Sequence, residues 1–215
     1  MNVHSPSYKL NLTTPTRYAI IIPESKQKGN FTMKKSYIER AMRMAEILSS
    51  YINSYSEIDS IYNKCSMAVK EYNIRHKHSS MSLESGSTRL AFIISDYVLK
   101  VDYQTIRSFG NSETELEAWN FIRENGMEEY FAEITKYTSK SEITFYIMPR
   151  IKHIGEYDEE WFNDTLFETD IVAYDFIQDN FYDFHENNFG IKNGHPVVID
   201  YAWNYCVEME DEEDD

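Results

Sequence analysis

The chain has 215 residues, 42% of them apolar, and a formal net charge of −15, which suits one small two-lobed domain with a real core plus an accessory segment. With no run of 18 apolar residues and no secretory leader, the longest apolar stretch near the start being residues 18–22 ahead of Pro23, a soluble cytoplasmic protein without a membrane partner is expected. Residues 1–80 hold 12 Lys+Arg against 6 Asp+Glu while residues 81–215 hold 9 against 30, and a body that acidic makes nucleic acid an unlikely ligand.

Apolar residues at Tyr37, Ile38, Ala41, Met42, Ala45, Leu48 and Ile52, and again at Ile58, Ile61, Tyr62, Cys65, Ala68 and Tyr72, predict two amphipathic helices. The second is expected to open on Ser56, with Asp59 three residues later as a capping pair. Such stripes need cover, so the helical hairpin is expected to pack on the domain that follows, near its first helix. Cys65 and Cys206 have no metal or redox spacing and read as free thiols of a reducing compartment. The run 75–80, with His76 and His78, reads as a linker, because no further ligand cluster accompanies the histidines.

From Ser85-Gly86-Ser87-Thr88-Arg89 the chain enters Leu90–Ile94, turns at Ser95-Asp96 and returns through Tyr97-Val98-Leu99-Lys100-Val101, the pattern of a strand hairpin. Ser112-Glu113-Thr114-Glu115 then starts a helix. On it Glu115 shares a face with Ala118, Trp119 and Ile122, whereas Glu117 lies with Asn120, Phe121 and Glu124. Glu115 is therefore the helix's candidate buried acid, unless it only closes a capping box with Ser112. Residues 142–151 read as a buried strand leaving into a linker. In the stretch 170–181, which lacks glycine and proline up to Asn180, Ile171, Tyr174, Ile177 and Phe181 fall at helical spacing.

Next comes Phe181-Tyr182-Asp183-Phe184-His185-Glu186-Asn187-Asn188, and then an apolar strand ending in Val197-Val198-Ile199-Asp200. An aspartate, an asparagine five residues on and a second aspartate closing a strand suit phosphoryl transfer. That chemistry needs a carboxylate to orient the incoming hydroxyl and oxygen ligands for Mg²⁺ on the phosphates. Asp183 fits the first role, Asn188 and Asp200 the second.

These residues resemble the protein-kinase and aminoglycoside-phosphotransferase superfamily over about residues 81–204. His185, two places after the aspartate, is what the aminoglycoside-phosphotransferase branch carries, and the stretch 183–200 looks most like the kinase domain of the early protein kinase of podophages and related small phage kinase-like proteins. The resemblance implies an α+β fold: a minimal two-lobed kinase-like architecture with an N-terminal helical segment (1–80), an upper lobe (81–150), a truncated lower lobe (151–207) and an acidic tail (208–215). It implies ATP and Mg²⁺ as cofactors. Lys100 would hold the phosphates and pair with Glu115, Gly86 and Ser87 would lie in the phosphate-covering loop, Met148 would back the adenine pocket, and the backbone near Arg150 and Ile151 would meet the base.

The departures are as informative. Gly86 stands alone where a glycine-rich loop is usual, Tyr182 replaces the arginine that reads an activation-loop phosphate, and Asp200-Tyr201-Ala202 lacks the glycine of the metal-loop triplet. After Asp200 only 15 residues follow, with no activation segment. Two functions therefore stand: a kinase acting on a protein or small-molecule hydroxyl, possibly a host target, or an inactive kinase-like module that binds a protein partner. In a third reading Asp183, Asn188 and Asp200 only cap loops of an unrelated fold.

Overall fold

A computed structural model describes residues 33–77, 80–103, 112–153, 159–181, 188–192 and 195–201. Asp183, His185, Cys206, the acidic tail and residues 1–32 lie outside the described residues.

The architecture is α+β and begins with helices α1 (Lys35–Ser54) and α2 (Ile61–Arg75). Ala41, Ala45, Leu48 and Ile52 of α1 meet Cys65, Ala68, Val69 and Tyr72 of α2 in one buried cluster. The second helix starts later than its sequence suggests: Ser60, not Ser56, accepts the Asn63 N–H as N-cap. Residues 55–57 form a turn instead, and each position has a serine able to satisfy an orphan helix donor.

A five-stranded antiparallel sheet follows, in the order β1 (Ser82–Ser85), β2 (Arg89–Ile93), β3 (Tyr97–Asp102), β5 (Thr144–Pro149), β4 (Thr135–Thr138). Helix α3 (Ser112–Glu124) and a 3-10 turn (Glu128–Tyr130) lie between β3 and β4 in sequence. Side chains alternate between the two faces of a strand, and each face of this sheet has its own cover. Leu90, Phe92, Leu99, Val101, Phe145 and Ile147 pack with α1 and α2. Tyr146 and Met148 turn the other way, into a cluster with Ala118, Trp119 and Ile122 of α3. The helical hairpin therefore docks on the sheet face opposite α3, not beside it as the sequence reading had it; a stripe shows that a helix needs cover, not which face supplies it. Arg40 to Asp96 (3.0 Å) and Tyr137 Oη to Glu46 (2.5 Å) tie α1 to the sheet's loops and edge.

The rest of the chain builds on the α3 side. Strands β6 (Lys152–His153), β7 (Phe189–Lys192) and β8 (His195–Val198) make a small antiparallel sheet, with α4 (Glu159–Thr169) and α5 (Ile171–Asn180) between β6 and β7 in sequence. Pro196 is tolerated because β8 is an edge strand. Asp170 caps α5 by accepting from Ala173 N and also accepts from Tyr130 Oη at 2.6 Å. The buried residues of α5 are Ala173, Phe176 and Ile177, while Ile171 is exposed, so the apolar stripe is rotated from the one read at Ile171 and Tyr174. Phe131, Phe176, Phe181 and Tyr201 pack edge-to-face and tilted into an aromatic core. No helix among the described residues is long and apolar enough to cross a membrane.

Candidate functional site

The site begins with strand register. The tight turn at Ser95-Asp96 sets Arg89 opposite Asp102 and Ala91 opposite Lys100. Directly opposed residues of an antiparallel pair share a face, and Lys100 and Asp102 are two apart, so Arg89, Ala91, Lys100 and Asp102 all belong to the α3 face. Asp102 then fixes the helix. Its carboxylate accepts from Ser112 N (3.2 and 3.3 Å) and Ser112 Oγ (2.7 Å), satisfying an orphan N–H and placing negative charge at the positive end of α3. Glu113, one residue into the helix, accepts from Tyr146 Oη at 2.5 Å and Lys136 Nζ at 2.7 Å. With its first turn held at these points, α3 aims Glu115 at the sheet.

Glu115 is fully buried and is the hub of the site. Lys100 Nζ donates to its Oε2 at 2.8 Å and to its Oε1 at 3.0 Å. Arg89 Nη1 donates to Oε2 at 3.1 Å, and the Tyr201 N–H reaches Oε1 at 3.3 Å. The second nitrogen of the Arg89 fork, Nη2, donates to Asp200 Oδ1. Arg89 and Lys100 are themselves 6% and 7% exposed, so both cations are out of water and depend on these carboxylates. Burial pulls the Arg89 pKa down, but the charges of Glu115 and Asp200 outweigh it and the guanidinium is held above its ordinary value. The Asp200 side chain keeps 39% of its surface, and it is where the cluster opens to solvent.

Asp200 is delivered by the end of the chain's last described strand. Beyond β8 the carbonyl of Asn188 accepts from Ile199 N at 2.7 Å and Asp200 N at 3.4 Å, so Asn188 and Asp200 sit across the same strand pair. The next residue locks the segment: Tyr201 is fully buried and donates its hydroxyl to the Ala132 carbonyl at 2.7 Å, and Ala132 N donates to Val198 O at 2.8 Å. Burial raises the Tyr201 pKa well above the usual phenol range, so its hydroxyl stays a donor.

The structure thus brings together Lys100, Glu115, Asp200 and the backbone of Asn188. Gly86 and Ser87 are exposed in the β1–β2 turn, where Gly86 N donates to Arg89 O at 2.9 Å. Met148 is buried on β5 opposite Val98, and half-buried Ile151 packs at the edge of the same core. The Arg150 N–H donates to the Asp96 carbonyl at 3.0 Å. Sequence reasoning missed Arg89, whose position opposite Asp102 follows from the turn at Ser95-Asp96. Ala91 and Val98 are partly exposed on the same α3 face, Ala91 opposite Lys100 and Val98 opposite Met148.

Asn188 and Asp200 carry side-chain oxygens of the type a hard cation takes, and Mg²⁺ is commonly held by one or two carboxylates plus phosphates, while Asp200 Oδ1 accepts from Arg89 in this structure. Among the described residues no group of three or more His, Cys, Asp or Glu is placed to hold a metal unaided.

No family model matches the chain, and no curated protein matches it. A solved structure, the Legionella pneumophila Lpg2603 kinase bound to IP6, is similar with a TM-score of 0.38 and 13% identity over 60% of this chain and 61% of that one. The chain thus spans less than two thirds of that neighbour's length.

Proposed function

We propose that the protein is an ATP-dependent phosphotransferase of kinase-like architecture, with residues 81–150 as its upper unit, residues 151–207 as a minimal lower unit and the α1–α2 hairpin as a brace on the upper sheet. The observation that carries this reading is the convergence of Lys100 from β3, Glu115 from α3 and Asp200 from beyond β8 on one buried network. An anchored lysine beside an exposed-edge carboxylate is an arrangement that positions a triphosphate, and phosphoryl transfer depends chiefly on positioning and charge stabilisation.

In this reading Lys100, held by Glu115, contacts the phosphates, and Ala91, Val98 and Met148 offer the adenine an apolar wall. Asp183 accepts the proton of the incoming hydroxyl. Asn188 and Asp200 would hold Mg²⁺, which when bound would neutralise phosphate charge. The resemblance to small phage kinase-like proteins favours a host protein as the acceptor over a small molecule. A second reading, a nucleotide-binding module that transfers nothing, is favoured by Arg89, which occupies the Asp200 oxygen that a metal would use.

Two measurements test the proposal. ATP with Mg²⁺ is expected to raise the melting temperature, because a ligand bound only by the folded state stabilises it. Label from γ-labelled ATP is expected to reach a protein in host lysate and to vanish in Asp183→Ala, which keeps nucleotide binding. Binding without transfer selects the second reading; no binding removes both.

A further inference from the structure

The α4–α5 pair presents a surface that the reading above does not use. Among the described residues six large apolar side chains are exposed, and three of them, Phe167, Ile171 and Val172, fall within six residues where the two helices meet. Phe167 meets Tyr174 edge-on at 5.5 Å and still keeps 59% of its surface. Acids rim these residues. Exposed Asp164 and Glu168 flank Phe167 on α4, and exposed Asp175 and Asp179 follow Val172 at the i+3 and i+7 spacing of one helix face. Residues 159–180 hold seven Asp+Glu and no Lys, Arg or His. An apolar centre inside a rim of one sign has the make-up of a binding surface, and its complement is a basic segment with apolar side chains.

The chain holds a segment of that chemistry. Residues 1–32 contain four Lys+Arg and one acid, and Arg17, Lys26 and Lys28 flank the apolar run Tyr18-Ala19-Ile20-Ile21-Ile22. They join the described chain at Met33, whose N–H donates to the Glu133 carboxylate. Glu133 is three residues from Tyr130, and Tyr130 Oη donates at 2.6 Å to Asp170, the residue before Ile171. Ile22 is eleven residues from Met33, a reach of up to about 36 Å. A tethered segment acts at an effective concentration of about a millimolar, so a small contact suffices to hold it where a separate peptide would need a larger one.

We propose that residues 17–28 dock on the α4–α5 face of their own chain, with the 18–22 run against Phe167, Ile171 and Val172 and the cations against the acidic rim. Residues 1–77 then clasp the molecule at two places, α1 and α2 on the five-stranded sheet and the basic segment on the helices that follow β6. This contact does not depend on nucleotide binding or transfer.

The test uses the full chain in a Cys206→Ser background, in which the remaining Cys65 is buried. Ile21→Cys with Val172→Cys, oxidised by glutathione at low protein concentration, is expected to form an intramolecular disulfide at least about fivefold faster than Ile21→Cys with Tyr62→Cys, a pair that uses an exposed position on α2. Changing Arg17, Lys26 and Lys28 to glutamate is expected to slow the first link severalfold relative to the second. Without added cysteines, Ile20→Asp/Ile21→Asp is expected to speed amide hydrogen exchange over residues 163–180 severalfold and to leave residues 40–52 of α1 as in wild type, which separates loss of the contact from loss of the fold. Equal rates for the two cysteine pairs, no effect of the glutamates, or exchange over 163–180 that the aspartates leave unchanged would each overturn the proposal and leave the face to a separate basic partner. A disulfide that joins two chains, with a doubled mass in sedimentation, overturns it in favour of a second copy.

Discussion

Replacing Glu115 by alanine should cost more than any other single change in the site. Its carboxylate accepts both ends of the Lys100 contact, one arm of Arg89 and the Tyr201 N–H, and the residue is wholly out of water. Removing one member of a buried ion pair leaves the other charge uncompensated, at about 3–5 kcal/mol, a large part of the roughly 5–15 kcal/mol that holds a domain folded. Arg89 would keep Asp200, so most of the loss should fall on Lys100. Glu115→Leu with Lys100→Met should therefore be clearly more stable than Glu115→Ala, because an apolar replacement of the whole pair is often neutral. Urea unfolding followed by tryptophan fluorescence would read this, with Trp119 one turn along the same buried face. Exposed Glu124→Ala serves as the control and should stay within about 0.5 kcal/mol. A loss under about 1 kcal/mol for Glu115→Ala, or a double variant as unstable as the sum of its singles, would refute the reasoning.

Deleting residues 33–77 uncovers Leu90, Phe92, Leu99, Val101, Phe145 and Ile147, each worth about 1.5–3 kcal/mol when buried. The truncated chain is expected to aggregate, and a monodisperse, cooperatively melting product in size-exclusion and calorimetric runs would count against the brace. Tyr201→Phe strands the Ala132 carbonyl and should lower unfolding free energy by about 1–3 kcal/mol; no change would show that the bond contributes nothing. On the alkaline side, burial pushes the Cys65 thiol up to about 12. The folded state then holds a proton that the unfolded state releases, so stability should fall as pH rises from about 9 toward about 12. In a Cys206→Ser background, thiol labelling at pH 8 should stay negligible until urea unfolds the protein, and prompt labelling of the native state would contradict the burial.

How much of this was legible beforehand depended on the range of the signal. The stripes of α1 and α3 and the strand hairpin around Ser95-Asp96 could be read because 3.6- and 2-residue periods are local. The start of α2 was misread because Ser56 and Ser60 are both competent caps, and only the turn at residues 55–57 decides between them. Helix α4 gave little signal. Among its residues whose burial is described, only Phe162 and Leu166, four apart, are buried, too short a stripe to stand out. The side of the sheet covered by the hairpin was not encoded in any window, since Phe145 and Ile147 face α1 and α2 while Tyr146 and Met148 face α3. Arg89 was legible in principle: once the turn at Ser95-Asp96 is granted, register alone sets it opposite Asp102 and on the face of Lys100.

The geometry of that cluster also makes its parts hard to separate by activity alone. Asp200 is placed by the Asn188 carbonyl and by Tyr201, and Tyr201 is anchored both to Ala132 in the core and to the Glu115 carboxylate. A substitution at Glu115 thus moves the lysine, the backbone that carries Asp200 and the arginine that donates to it. Loss of transfer in such a variant would not distinguish a lost phosphate anchor from a displaced Asp200. Asp200 lies at the open edge of the network, where its side chain meets solvent, so a substitution there should perturb the fold least. The effect of Asp200→Asn on nucleotide binding is consequently the measurement that separates the electrostatics of the site from its scaffolding.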